Sequence, residues 1–170
     1  MAAKKYLARI SGKITEVVAT IVSAGAANDG DIPALDSTGK LDVSVLPVGV
    51  GPDVKVIEAD EALAAGDYVN IFDDGGTTKV RKADNSNGRD AHGFVKEAVS
   101  AAANATVFFE GPNDDLSGLT AGTRYYLGTA GGVTSTAPDA PAAAISQFLG
   151  IAISATEINT DIDDCIGLSS

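Results

Sequence analysis

The chain has 170 residues, which suits one domain of ordinary size or one small domain carrying an arm. Tryptophan is absent, Tyr and Phe number 4 and 5, and 19 glycines are spread along the chain, so the apolar content rests on Ala, Val and Ile. A core of that kind is thin and gains from assembly with other copies, while a formal charge of −11 argues against nucleic acid as a partner, because phosphate neutralisation supplies most of that affinity.

The single Cys165 excludes an intrachain disulfide, and one histidine beside one cysteine excludes a zinc set. The charge is unevenly placed. Residues 1–52 hold five basic residues (Lys4, Lys5, Arg9, Lys13, Lys40) and five acidic ones (Glu16, Asp29, Asp31, Asp36, Asp42), so the remainder carries the whole deficit. Four of those bases fall within the first thirteen positions, a locally positive terminus suited to a negative protein surface. The opening "MAAKKYLARISGK" lacks the apolar run of a signal peptide, and no segment reaches membrane-spanning length, so neither export nor a membrane partner is expected.

Three zones follow in chain order. In the first, to Val22, the residues Leu7, Ile10, Ile14, Val17 and Ile21 recur three and four apart, as in a heptad seam. Tyr6, Ala8, Ile10 and Ile14 also fit an alternating strand interrupted by Gly12, and the β-branched run Val17, Val18, Thr20, Ile21, Val22 favours extended chain. Both readings stand on sequence, with extended structure preferred.

The second zone, Ser23 to Asp53, contains "DIPALDSTGKLDVSVLP". Its tetrad Asp36-Ser37-Thr38-Gly39 predicts a turn whose last residue needs positive φ, between two short extended pieces. Pro33 and Pro47 each remove a ladder donor, so both pieces are expected to be edge-like. Ile32, Leu35, Leu41, Val43, Val45 and Leu46 nevertheless need burial. Apolar teeth with few internal partners predict an arm that lies on another subunit.

The third zone reads as all-β. Strands are predicted at 54–58, 67–72, 77–82, 91–98, 105–110, 123–127, 132–136, 147–154 and 157–162, separated by "AAGD", "DDGG", "DNSNG", "GPNDD", "TAGT" and "TAGG". Only "ADEALAA", residues 59–65, reads as a helical turn, and Pro138 and Pro141 mark a longer loop. The expected architecture is a compact antiparallel β-barrel or sandwich over residues 53–170, preceded by an extended N-terminal arm over residues 1–52.

Little in the chain looks like chemistry. His92 has Asp90 two residues away, which places both on one face of a strand, but no G-x-S-x-G elbow offers a serine. It reads as a structural histidine. The pairs Asp73-Asp74, Asp114-Asp115 and Asp163-Asp164 read as solvated turns. Testing "DNSNG" as a calcium loop puts Ala83 and Phe94 where carboxylates belong. "GTAGGVT" lacks the Lys-Ser/Thr of a phosphate loop and reads as a hairpin turn. Phe108-Phe109 and Tyr125-Tyr126 should each split across two strand faces, with only Arg124 as an accompanying base, too few for single-strand stacking. No enzymatic activity, cofactor, metal or small-molecule substrate is expected.

The order "YLARISGKITEVVATIVSAGAANDGDIPALDSTGKLDVSVLPVGVGPD", then "LAAGDYVNIF", "VRKADNSNGRDAHGFV", "GLTAGTRYYLGTAGGVT" and "FLGIAISATEINTDI", resembles small structural proteins of tailed bacteriophages, among them head-fibre and decoration proteins. The resemblance implies a non-enzymatic virion protein, made in the host bacterial cytoplasm, that binds the capsid exterior as a decoration (cement) protein. Its implied partners are the major capsid protein and itself, as a homotrimer. The contact residues then come from the arm: Tyr6, Leu7, Arg9, Ile10, Ile14, Ile32, Leu35, Leu41, Val43 and Leu46. The alternative is a head- or tail-fibre protein that binds a host-surface receptor, for which Arg124, Tyr125 and Tyr126 are the contact candidates. The chain is short for a long tail fibre and shows no coiled-coil or repeat shaft. A bacterial carbohydrate-binding or hydrolase module is the third reading, disfavoured by the lack of Trp and of clustered aromatics.

Overall fold

The structure, a computed structural model, describes residues 4–46, 51 and 53–169. It is all-β, and the chain divides into two compact units, Met1–Gly51 and Pro52–Ser170.

In the N-terminal unit the alternating reading prevails over the heptad. Strands β1 (Lys5–Ile10) and β2 (Lys13–Val18) form an antiparallel hairpin in which Ile10 faces Lys13 and Lys5 faces Val18. Ser11 and Gly12 both take positive φ, 49° and 83°, as a tight two-residue hairpin turn requires. Thr20 then bridges Pro33 in parallel: its amide donates to the Ile32 carbonyl at 3.0 Å and its carbonyl accepts from Ala34 at 2.8 Å. Pro33 stands at a single bridge, where its missing donor costs no ladder bond.

The Asp36 tetrad forms the predicted turn, with Gly39 at φ 81°. Asp36 Oδ1 accepts from the Thr38 amide at 2.7 Å, the Thr38 hydroxyl at 2.8 Å and the Lys40 amide at 3.0 Å. The piece after it departs from expectation. Instead of extended chain, Val43–Val45 makes a 3₁₀ turn, held at its start by the Ser44 amide donating to Asp42 Oδ1 at 2.9 Å. Local side-chain bonding from Asp and Ser competes well with an unpaired strand. Pro47 and the side chain of Val43 lie outside the described residues. The arm is thus a folded hairpin-and-turn unit rather than one extended segment.

The C-terminal unit is built on a closed barrel. Its strands are β3 (Val54–Ala59), β4 (Tyr68–Asp74), β5 (Thr77–Lys82), β6 (Gly93–Val95) and β7 (Asn104–Phe108), in the order β3-β5-β4-β6-β7. β3 and β7 close it over five register pairs, from Val54 with Phe108 to Glu58 with Asn104. One pairing differs from the antiparallel expectation. β3 runs parallel to β5 through Glu58 with Lys79 and Ala59 with Val80.

Alternation along these strands makes two cores from one sheet. Val69, Val80, Val95, Ala105 and Val107 point together with Ile57 and Leu63 into one cluster, while their neighbours Tyr68 and Phe94 join Ala83, Ala91, Leu127, Ile145 and Leu149 in a second. The second cluster is shared with a five-stranded sheet. Its members are β8 (Gly111–Asn113), β9 (Arg124–Leu127), β10 (Val133–Thr134), β12 (Phe148–Ala152) and β13 (Ile158–Thr160), ordered β10-β9-β12-β13-β8. Between β10 and β12 the chain makes β11 (Ile145–Ser146), which pairs with β14 (Ile166–Gly167).

Three local expectations are corrected. Residues 59–65 form no helical turn; Leu63 instead bridges Val99 and is buried, because tertiary burial outweighs the alanine-rich composition. "GPNDD" is not only a turn, since Gly111–Asn113 is β8, an edge strand where Pro112 is tolerated. Of the predicted strand 91–98 only Gly93–Val95 pairs.

Candidate functional site

Three surfaces carry the residues singled out from sequence. The first is the β1–β2 hairpin. Directly opposed residues share a face, so Lys5, Leu7 and Arg9 stand with Val18, Glu16 and Ile14 on one side. The other side holds Tyr6, Ala8 and Ile10 with Val17, Thr15 and Lys13. The two sides differ in cover. Tyr6, Ala8 and Val17 are half-buried, whereas Leu7, Ile14 and Val18 are 72%, 76% and 53% exposed. Leu7 is the diagonal neighbour of both Ile14 and Val18, which gives a continuous apolar zigzag flanked by Arg9 and by a Lys5–Glu16 ion pair.

Ile10, at the hairpin turn, is also exposed, as are Ile32, Leu35 and Leu41, while Leu46 is half-buried. A small polar network fixes this unit. Thr20 Oγ1 donates to Asp31 Oδ2 at 2.6 Å, Asn28 Nδ2 donates to the same oxygen at 2.9 Å, and the Ala24 amide donates to Asn28 Oδ1 at 2.6 Å. The Thr20 hydroxyl bond, followed by that from Asn28, holds the Asp31 carboxyl below its ordinary range.

The second surface is the outer face of the five-stranded sheet. Tyr125 is withdrawn from it: only 6% exposed, it packs with Leu119, Ala152 and Ile158, and its hydroxyl accepts from the Thr120 amide at 3.0 Å. The receptor role assigned to Tyr125 is therefore corrected to a core role. Arg124 and Tyr126 meet around a residue the sequence reading missed. Phe148 lies with its ring 6.0 Å from Tyr126, nearly perpendicular, and the Arg124 guanidinium sits 4.2 Å above it. Pairing of Tyr126 with Phe148 and of Arg124 with the exposed Ile151 puts these side chains on one flat patch. Strand adjacency alone could not have named Phe148, because a bulge between Phe148 and Gly150 shifts the register.

The third surface is an open groove of about 840 Å³ in the C-terminal unit. His92 and Asp90 do meet there, with Nε2 3.2 Å from Asp90 Oδ2. The other ring nitrogen is also engaged, because Nδ1 accepts the Ile71 amide at 2.9 Å, while the His92 amide donates to the Val69 carbonyl at 2.8 Å. The histidine extends the β4–β6 ladder by one rung with its side chain. A base needs a free nitrogen beside a nucleophile, and Nδ1 here is taken by the Ile71 amide while Nε2 faces Asp90. Asp163, Asp164 and Cys165 line the same groove, and Cys165 is exposed.

The chain matches no family model, and no curated protein matches it. Among solved structures it is similar to the head fiber gp8.5 N base of bacteriophage phi29, at 12% identity and a TM-score of 0.44, over 65% of this chain and 92% of that one. A likeness of that size carries no argument about function.

Proposed function

We propose that this chain is a structural protein of a tailed-phage virion that decorates the capsid exterior, with the N-terminal unit making the attachment and the β-barrel unit displayed. The observation that carries the reading is the exposed zigzag Leu7, Ile14 and Val18 on a two-stranded hairpin. A lone hairpin is marginal in water, and apolar side chains uncovered on one of its faces are what an interface requires. The phage-like order of segments in the sequence supports the same reading, as does a barrel unit whose single histidine is committed to backbone support. In this proposal the partners are the major capsid protein and further copies of the chain, as a trimer, and the function is to add buried interface between capsomers. Neither nucleic acid nor membrane is a partner, and no reaction is catalysed.

The test is capsid co-sedimentation with the full chain. Leu7→Asp with Ile14→Asp is expected to abolish binding to undecorated capsids while the thermal transition of the barrel unit stays in place. Full binding by this variant overturns the reading. The Arg124–Phe148–Tyr126 patch favours a second reading, a fibre that contacts a host receptor. Copy number in purified virions separates the two, since a decoration protein is as abundant as capsomers and a fibre is far scarcer.

A further inference from the structure

The groove that holds His92 combines two kinds of lining. Ile71, Phe109 and Ile162 are apolar and only partly buried, while Asp163 and Asp164 add carboxylates. Neither carboxylate has a cationic partner among the described residues, and neither Arg9 nor Lys13 of the hairpin has an anionic one. The groove wall is firm where the acids stand, because Gln147 Nε2 donates to the Asp163 carbonyl at 3.0 Å.

The hairpin face offers the complement in matching order. Arg9 is directly opposite Ile14, and Leu7 is diagonal to it, so one cation sits beside two exposed aliphatic side chains. Charge selects among the grooves of the C-terminal unit. Two others, of about 270 and 570 Å³, set Lys96 against a single carboxylate, Glu97 or Glu110, and so lack the acidic excess of the His92 groove.

We propose that the His92 groove of one copy receives the β1–β2 hairpin of the next, with Leu7 and Ile14 against Ile71, Phe109 and Ile162, and Arg9 against Asp163 and Asp164. The contact is head-to-tail: different surfaces meet on the two copies, and such a contact closes into a ring when its rotation allows. The inference rests on the N-terminal unit being the associating part. It adds the surface on which that unit is seated.

Cys165 makes the test direct, because it lines the groove and is the chain's sole thiol. In the full chain, Ile14→Cys is expected to form disulfide-linked multimers under mild oxidation, since a bridge needs Cα atoms within about 7 Å. Cys165→Ser in the same background removes them, and Thr78→Cys, on the exposed β4–β5 tip, serves as the rate control. An intrachain disulfide alone, or linking no faster than the control, overturns the proposal. Charge reversal supplies the second arm. Arg9→Glu is expected to weaken self-association by about tenfold or more, and adding Asp163→Arg restores it; losses that merely add overturn the pairing. A chain that self-associates without these signatures loses the groove and keeps the association. Capsid co-sedimentation of the unsubstituted chain judges the decoration reading separately.

Discussion

Gln147 satisfies both backbone polar groups of Ala91: its Oε1 accepts the Ala91 amide at 2.7 Å and its Nε2 donates to the Ala91 carbonyl at 3.0 Å. Ala91 stands just before β6, where no strand reaches it, and it is 1% exposed. A side chain from the link between β11 and β12 thus plays the part of a missing strand and ties that link to the barrel.

Gln147→Leu leaves a donor and an acceptor buried at Ala91 with nothing to bond. The expected loss is about 2–6 kcal/mol, taken as about 1–3 for each unsatisfied group. Urea denaturation measures it. A loss under about 0.5 kcal/mol would show that water or a relaxed backbone replaces the amide.

Two glycines should respond very differently to alanine. Gly150 has φ 151°, and a Cβ there would strike the Asn159 carbonyl oxygen of the paired strand, a backbone atom that cannot step aside. Gly150→Ala is expected to cost at least about 3 kcal/mol or to prevent folding. Gly39 has φ 81° with open space around it, so Gly39→Ala carries only the left-handed backbone penalty of about 1–2 kcal/mol, and Gly39→Asn much less. Equal losses at the two sites in denaturant titrations would contradict the packing argument.

The Asp36 turn should melt only in strong acid. The Lys40 amide first, then the Thr38 hydroxyl and amide, hold the Asp36 carboxyl below its ordinary range. A depressed folded value means its contribution is complete above the ordinary carboxylate range and is lost as pH falls through the folded value. The amide resonances of Thr38 and Lys40 should therefore hold their positions down to about pH 4 and move below it. Asp36→Asn, which keeps one acceptor oxygen, should flatten that profile.

Lys79 is the hub of an acidic cluster, with Nζ 2.7 Å from Asp74, 3.6 Å from Glu58 and 3.8 Å from Asp60. The hydrogen bond to Asp74 is the leading cause that raises its titration. A raised folded value contributes stability below the ordinary lysine range, lost as pH climbs through it. Lys79→Met leaves three carboxylates facing one another. The melting temperature should drop at neutral pH, and the drop should shrink in high salt and again as pH falls through the carboxylate range. A drop insensitive to both would mean the lysine stem, not its charge, matters.

The sequence was legible where local physics decides. The Asp36 tetrad became its turn because Asp bonds forward and Gly accepts positive φ, and "DDGG" and "TAGG" became hairpin tips for similar reasons. What stayed hidden depended on distant partners. Tyr125 and Tyr126 could be assigned to opposite faces, but which one faces inward was set by Ala152 and Ile158, strands away in sequence. Phe148 joined Arg124 and Tyr126 only through a bulge, and the parallel β3–β5 pairing skips β4, which follows β3 in sequence but lies beyond β5 in the sheet. The hairpin face was half visible: Leu7, Arg9 and Ile14 were named together, but their common side follows from a register that the Ser11-Gly12 turn fixes.

The closure of the barrel at β3 also sets how the C-terminal unit would bear mechanical load. β3 is the strand on which the backbone from the N-terminal unit arrives, and its bonds to β7 lie across its axis over five register pairs. Tension pulled along β3 therefore strains those rungs side by side instead of opening them one after another from an end. A component tethered at its N-terminus would resist such a pull as a lap joint does, by sharing it along the whole overlap.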